Sequence, residues 1–148
     1  MEIKIKWFPR SWLQISYENK IVYIDPSYLE TYFSKHPLKI GKGDDGLPEK
    51  MPKGNFILLT HSHKDHCKYA TVNQLRDNGT IVLAPKNCSK ELAFEYIIVK
   101  PNEQYHFNGI DINTINAHNI LEANSTKKVQ KKYIKRGLVS DIYLQLTM

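Results

Sequence analysis

The sequence predicts an α/β (α+β) fold in which short apolar strands alternate with a few short helices. Three observations point there. The chain opens as an antiparallel meander, which argues against a Rossmann arrangement. Runs at residues 21–24, 56–59 and 81–83 are apolar on both faces, as in a sheet covered on both sides. Asn108-Gly109 joins two further strand-like segments, and Asn-Gly accepts the positive φ angles of a type I′ hairpin turn.

In chain order, Ile3, Ile5 and Trp7 alternate with Lys4, Lys6 and Phe8, the pattern of a half-buried strand. Pro9-Arg10 turns the chain into a strand at 12–17, and Glu18-Asn19 turns it again into one at 21–24. Asp25-Pro26 ends that strand. Asp25 either caps the turn or helix that follows or lines a site from below, and capping is the commoner role. Residues 34–54 form a long irregular stretch with Pro37, Gly41, Gly43, Gly46, Pro48, Pro52 and Gly54. It reads equally as a lid or as a surface loop, with His36 solvated. A buried strand at 56–60 leads into residues 61–66, and a helix follows at 69–78, with Val72, Leu75 and Arg76 on one face and Asn78-Gly79 as its C-cap. A buried strand at 80–84 precedes a short helix capped by Asn87 or Ser89 and running to Phe94, then a strand at 96–99. The hairpin arms are 104–107 and 110–116, with His106 on a strand face, and a last strand spans 138–146.

Length and composition suit one soluble domain over residues 1–148: 41% of residues are apolar and 24% charged. No apolar run approaches the roughly 20 residues of a membrane span. Charge and apolar residues alternate from Met1 to Lys6, unlike a signal peptide, so a cytoplasmic location and reduced thiols at Cys67 and Cys88 are expected. Cys67 reads as a small packing residue. The net charge of +6 is local: between Glu122 and Asp141 there is no acidic residue, while Lys127, Lys128, Lys131, Lys132, Lys135 and Arg136 crowd together. A basic segment of this kind is not a general nucleic-acid footprint.

The chemistry concentrates in His61-Ser62-His63-Lys64-Asp65-His66, which holds three of the six histidines between a strand end and a helix start. In extended chain His61 and His63 point the same way and can grip one metal ion. Asp65 and His66 follow as the chain turns, placed to face a second ion or to orient a metal-bound water. Neutral imidazole and carboxylate suit zinc, manganese or ferrous iron. A single histidine in such a loop would ordinarily be solvated; three with an aspartate among them point to metal.

This stretch resembles the His-x-His-x-Asp-His motif of the metallo-β-lactamase-fold superfamily. Ile21-Val22-Tyr23-Ile24-Asp25-Pro26 looks like the strand and turn before the motif in that family, Ile81-Val82-Leu83-Ala84-Pro85 like the strand after the motif helix, and Val99-Lys100-Pro101-Asn102-Glu103 like the turn into the next hairpin. Within the superfamily the sequence is most similar to small cytoplasmic hydrolases of the ascorbate-6-phosphate-lactonase-like kind, over about the first two thirds of such a member. The resemblance implies an αββα four-layer sandwich whose C-terminal part is missing here. It implies that His118, at the end of the hairpin's second arm, completes a first metal site with His61 and His63. It also implies that Asp65 is the catalytic residue, orienting the nucleophile or carrying a proton, and that His66 helps hold a second ion.

The implied function is metal-dependent hydrolysis of an ester or lactone, a thioester or a phosphodiester, with Zn²⁺ the foremost cofactor. A metal-binding remnant without turnover and an RNA-processing nuclease of the same superfamily are the other classes. The expected partner is a small-molecule substrate, with nucleic acid not favoured and no membrane. Family members continue past the last strand with a Gly-Asp-Thr-like segment, whose aspartate bridges two metals. Neither that aspartate nor a later histidine occurs before Met148, so one well-made metal site at most is expected, together with a bare sheet face that favours self-association. Neutralising Lys127, Lys128, Lys131 and Lys132 together is expected to shift stability by less than about 1 kcal/mol, as surface changes do. Urea unfolding of the quadruple variant checks this, and a collapse of folding would show that the segment packs.

Overall fold

The computed structural model describes residues 2–35, 47, 50–107, 109–115 and, for the backbone, 144–147. Two compact units divide the chain, Met1–Val99 and Lys100–Met148.

The first unit is one six-stranded sheet ordered β1-β2-β3-β4-β5-β6 along the chain. Strands β1 (Ile3–Trp7), β2 (Leu13–Tyr17) and β3 (Lys20–Ile24) form the expected antiparallel meander, with Ile5 opposite Ile15 and Gln14 opposite Tyr23. Strands β4 (Phe56–Leu58), β5 (Ile81–Pro85) and β6 (Ile97–Val99) then add in parallel, pairing Tyr23 with Ile57, Ile57 with Val82 and Ala84 with Ile98. Parallel neighbours need crossover connections, and the one between β4 and β5 contains α2 (Tyr69–Leu75). All of β4 and most of β5 are buried, in keeping with their runs of apolar residues on both faces.

The core is rich in aromatic rings at the end of the sheet near the β1–β2 turn. The Phe8 and Trp12 rings lie 4.5 Å apart, Trp12 and Phe33 5.9 Å, and Tyr28 and Phe33 4.5 Å. Phe33 belongs to α1 (Glu30–Phe33), a single helical turn. Ile57, Val72, Leu75 and Ala84 extend this core along the sheet, and Leu47 and Met51, from the long irregular stretch, are buried in it. The rest of that stretch, His36 included, lies outside the described residues.

Several local expectations are corrected. Strand β1 is exposed along its length rather than half-buried: Ile3, Ile5 and Trp7 keep 47, 66 and 56% of their surface. The reason is its place at the sheet edge, bonded to β2 alone. Helix α2 stops at Leu75 instead of reaching residue 78, because Arg76 is already extended (φ −96°, ψ 157°). Gly79 is no left-handed cap; its N–H donates to the Asp77 side chain (2.8 Å), and the Asp77 N–H to Thr80 Oγ1 (2.9 Å), closing a polar turn. The helix expected up to Phe94 is only a 3₁₀ segment, Lys86–Lys90, without a side-chain cap, so neither Asn87 nor Ser89 plays that part. Asp25 caps nothing either: α1 has no side-chain cap at all.

In the second unit β7 (Gln104–Phe107), β8 (Ile110–Thr114) and β9 (Leu144–Thr147) form an antiparallel sheet in that order. The hairpin is the expected one. Phe107 pairs with Ile110 and Gly109 has φ 76°, the positive angle that a two-residue turn demands. His106 is a strand-face residue, its Nδ1 2.8 Å from Asp111 Oδ1 on the facing strand. Residues 138–143 of the expected last strand lie outside the described residues. So does the basic segment from Lys127 to Arg136. Among the described residues no helix is long and apolar enough to cross a membrane.

Gly54, at the entry to β4, shows how tightly the crossovers pack. A Cβ there would meet Tyr23 Cδ2 at 2.8 Å and the Phe56 carbonyl oxygen at 3.2 Å. The buried Tyr23 ring cannot swing aside, since its hydroxyl donates to the Pro52 carbonyl (2.9 Å). Gly54→Ala is therefore expected to cost about 1–3 kcal/mol, the usual penalty of overpacking; the midpoint of urea unfolding measures it.

Candidate active site

Two parallel strands end side by side. Past β3, the Asp25 N–H donates to the Leu58 carbonyl (2.9 Å); past β4, the Leu59 N–H donates to the Leu83 carbonyl (2.9 Å). Asp25 and Thr60 are thereby placed beside each other just beyond the carboxyl ends of the strands, where open sheets bind ligands. Asp25 is 3% exposed and has φ 47°, a left-handed conformation that aspartate tolerates better than most residues. Its Oδ1 accepts the Thr60 N–H (2.7 Å), and its Oδ2 accepts both the Thr60 hydroxyl (2.7 Å) and His66 Nδ1 (2.7 Å).

The motif follows at once. His61 is buried, His66 half-buried and His63 exposed. The chain folds back so that the His66 and Cys67 N–H groups both donate to the His63 carbonyl (2.9 and 2.7 Å). This tight turn gathers the imidazoles: the His61 and His63 rings are 4.8 Å apart, edge to face, and the His61 and His66 rings 3.8 Å apart. Loop and helix are tied in from behind, Ser27 donating to the Lys64 carbonyl, Lys68 to the Tyr28 carbonyl (2.6 Å), and the Tyr28 N–H to Thr71 Oγ1 (3.0 Å).

These bonds set the tautomers. A carboxylate only accepts, so the Thr60 hydroxyl proton points to Asp25, and the Thr60 oxygen is left to accept from His61 Nδ1 at 3.0 Å. His66 Nδ1 must likewise carry a proton toward Asp25. In both rings Nε2 is then the basic nitrogen, as in metal-binding histidines whose other nitrogen is held by a carboxylate or hydroxyl.

The second half of the motif is engaged differently. Asp65 Oδ2 accepts from Arg10 Nη2 at 2.8 Å, and His66 Nε2 lies 3.1 Å from the Ser11 hydroxyl; both partners come from the β1–β2 turn. Partial burial alone would raise the Asp65 carboxyl, but the hydrogen bond from Arg10, a backbone bond, the charge that His66 carries when both its nitrogens are protonated, and the charge of Arg10 outweigh it and hold the group below the ordinary carboxylate range. Cys67 and Cys88 are both buried free thiols in the core beneath, and Cys67 is the packing residue expected of it. Their mutual hydrogen bond, and then burial, push the Cys88 thiol far up.

Of the residues expected from sequence, His61, His63 and His66 are thus gathered, Asp65 is turned to Arg10, and His118 lies outside the described residues. Among the described residues no three His, Cys, Asp or Glu side chains are grouped to hold a metal ion. The donor chemistry fits the beginning of one site, at His61 and His63. It does not fit a second ion at Asp65 and His66, which already have protein partners. Arg10, Ser11 and Thr60 escaped sequence reading. No local pattern marks them, although the position of Thr60, next to the motif, was a usable hint.

A family profile described as a beta-lactamase superfamily domain matches residues 4–136. The chain belongs to that superfamily. No curated relative matches the sequence. Among solved structures, this superfamily member is similar to a proposed metal-dependent hydrolase from Parabacteroides distasonis, with 22% identity and a TM-score of 0.71 over 99% of this chain and 56% of that one. It is also similar to CmlA, a diiron β-hydroxylase from Streptomyces venezuelae, with 17% identity and a TM-score of 0.58 over 99% of this chain and 27% of that one. At such identities the likeness establishes the fold, a mixed α+β architecture of the metallo-β-lactamase kind, as expected from the motif. The chain spans about half the length of the first of these structures and about a quarter of the second.

Asp25 is the residue on which this arrangement turns. Asp25→Asn keeps a residue suited to φ 47° but sets an amide N–H against donors that need acceptors. A loss of roughly 1–3 kcal/mol is expected, the cost of buried groups left unsatisfied. Thermal and urea unfolding of the variant, compared with the exposed Lys90→Ala as a peripheral control, would measure it.

Proposed function

We propose that this superfamily member is a metal-dependent hydrolase whose first ion is held by His61 and His63, with His118 as the third donor implied by the sequence. The observation that carries this reading is the relay from His61 Nδ1 through the Thr60 hydroxyl to the buried Asp25 carboxylate, which fixes the His61 tautomer and leaves Nε2 basic. Zinc is the first choice for two or three imidazoles, with manganese and ferrous iron as alternatives. When bound, such an ion supplies a Lewis acid and lowers the pKa of a bound water to about 7.

The chain's own residues then have distinct tasks. Asp25 and Thr60 hold His61 in place. Asp25 and Ser11 hold His66 between them, with Nδ1 protonated and Nε2 able to accept a hydrogen bond from Ser11 or from a substrate group in its stead. The substrate class that suits this chemistry is an ester or lactone, a thioester or a phosphodiester. A metal-binding module without turnover is the second reading, favoured by the engagement of Asp65, the expected catalytic residue, with Arg10 at 2.8 Å.

The test is metal content. His61→Ala combined with His63→Ala is expected to abolish stoichiometric zinc, manganese or iron in the purified protein, measured by elemental analysis. Unchanged content would sink the assignment. Metal bound by the parent chain without hydrolysis of any ester, lactone, thioester or phosphodiester in a substrate panel would favour the second reading.

A further inference from the structure

The β1–β2 turn is built to deliver Arg10. Arg10 itself has φ 71°, a left-handed backbone that a long side chain adopts only when its surroundings impose it. Its backbone carbonyl accepts the Trp7 indole N–H (3.0 Å), and its guanidinium lies over the Tyr32 ring, 4.4 Å from the centroid. So anchored, it sets Nη2 2.8 Å from Asp65 Oδ2. One residue on, Ser11 Oγ meets His66 Nε2 at 3.1 Å. A single turn therefore supplies a cation to the aspartate of the motif and a hydroxyl to its last histidine. These are the two side chains that would otherwise receive a second metal ion.

We propose that the Arg10 guanidinium is a built-in replacement for that second cation, so that the centre takes one ion and Asp65 is not a metal ligand. The inference rests on the preceding proposal of a metal at His61 and His63. Its logic is electrostatic. One fixed positive charge already neutralises the Asp65 carboxylate, and a planar guanidinium donates to carboxylate oxygens in directed bonds that an incoming ion would have to break. An ion placed beside Asp65 with Arg10 still stacked on Tyr32 would face its charge at close range. Ser11 in turn makes the lone pair of His66 Nε2 the acceptor of a hydrogen bond. Asp65 and Arg10 are thus positioning residues: they fix the turn against the motif and leave the metal to the histidines before it.

The experiment uses the full chain and zinc alone as probe, with stoichiometry from elemental analysis and affinity from calorimetry. The parent chain is expected to bind one zinc. Asp65→Asn is expected to keep that ion with affinity changed by less than about threefold, since an amide still accepts from Arg10. Arg10→Asn, in which asparagine suits the left-handed backbone, is expected to bind a second zinc at least about tenfold more tightly than the parent does. A metal-free arm, with chelator present, compares the thermal midpoints of Arg10→Asn, Asp65→Asn and the double variant. The double variant should be no less stable than the weaker single one, because both break the same pair. Two ions in the parent chain, loss of the ion in Asp65→Asn, no gain in Arg10→Asn, or additive midpoints would each overturn the proposal. Absence of zinc from the parent chain would instead overturn the metal site at His61 and His63. The chelated comparison would then still judge the pair, upholding it if non-additive and rejecting it if additive.

Discussion

The structure of the site depends on one buried carboxylate. Asp25 is 3% exposed and accepts three hydrogen bonds, two from Thr60 and one from His66. A carboxylate taken out of water is costly unless its oxygens are satisfied, so Asp25 cannot hold its place without Thr60 and His66, nor they theirs without it. This mutual requirement pins the first residues of the motif to the end of β3. It also fixes which nitrogen of His61 and of His66 carries the proton.

The sheet makes this carboxylate reachable. Strands β3 and β4 run parallel and in register, so their carboxyl ends coincide and Asp25 emerges beside Thr60. An antiparallel neighbour would have carried the chain away from the site at this level. The meander before β3 serves the same end of the sheet. It folds back so that its first turn returns to the motif, bringing Arg10 and Ser11 within hydrogen-bond distance of residues 55 positions further along the chain. The aromatic group of Phe8, Trp12, Tyr28 and Phe33 gives that turn a rigid floor, and Tyr32 holds the guanidinium from the side.

The two halves of the motif therefore have different surroundings. His61 is supported from behind by hydroxyl and carboxylate and His63 is exposed beside it, an arrangement that presents imidazoles. Asp65 and His66 are instead held by Arg10 and Ser11 of the β1–β2 turn. Neighbouring residues of one motif thus sit in unequal surroundings, and the difference comes from a turn more than fifty residues away.

What the sequence determined by itself were features with local causes. The meander, the buried strands β4 and β5, and the Asn108-Gly109 hairpin follow from side-chain period and turn chemistry, which act over a few residues. The motif was legible because spacing alone puts His61 and His63 on one side of an extended strand end. Tertiary structure decided the rest. Asp25 read first as a cap, because aspartate after a strand usually is one, and second as lining a site from below. Its carboxylate accepts three hydrogen bonds from two residues, Thr60 and His66, 35 and 41 positions away. The exposure of Ile3, Ile5 and Trp7 depends on β1 lying at the sheet edge, which no alternation reveals. Helix α2 stops early because Asp77 and Thr80 bond to each other and Thr80 to Gly54, in place of a further turn of helix. The partner of Asp65 was beyond reading for the same reason: an ion pair between residues 10 and 65 exists only once the sheet has brought the first turn back to the motif.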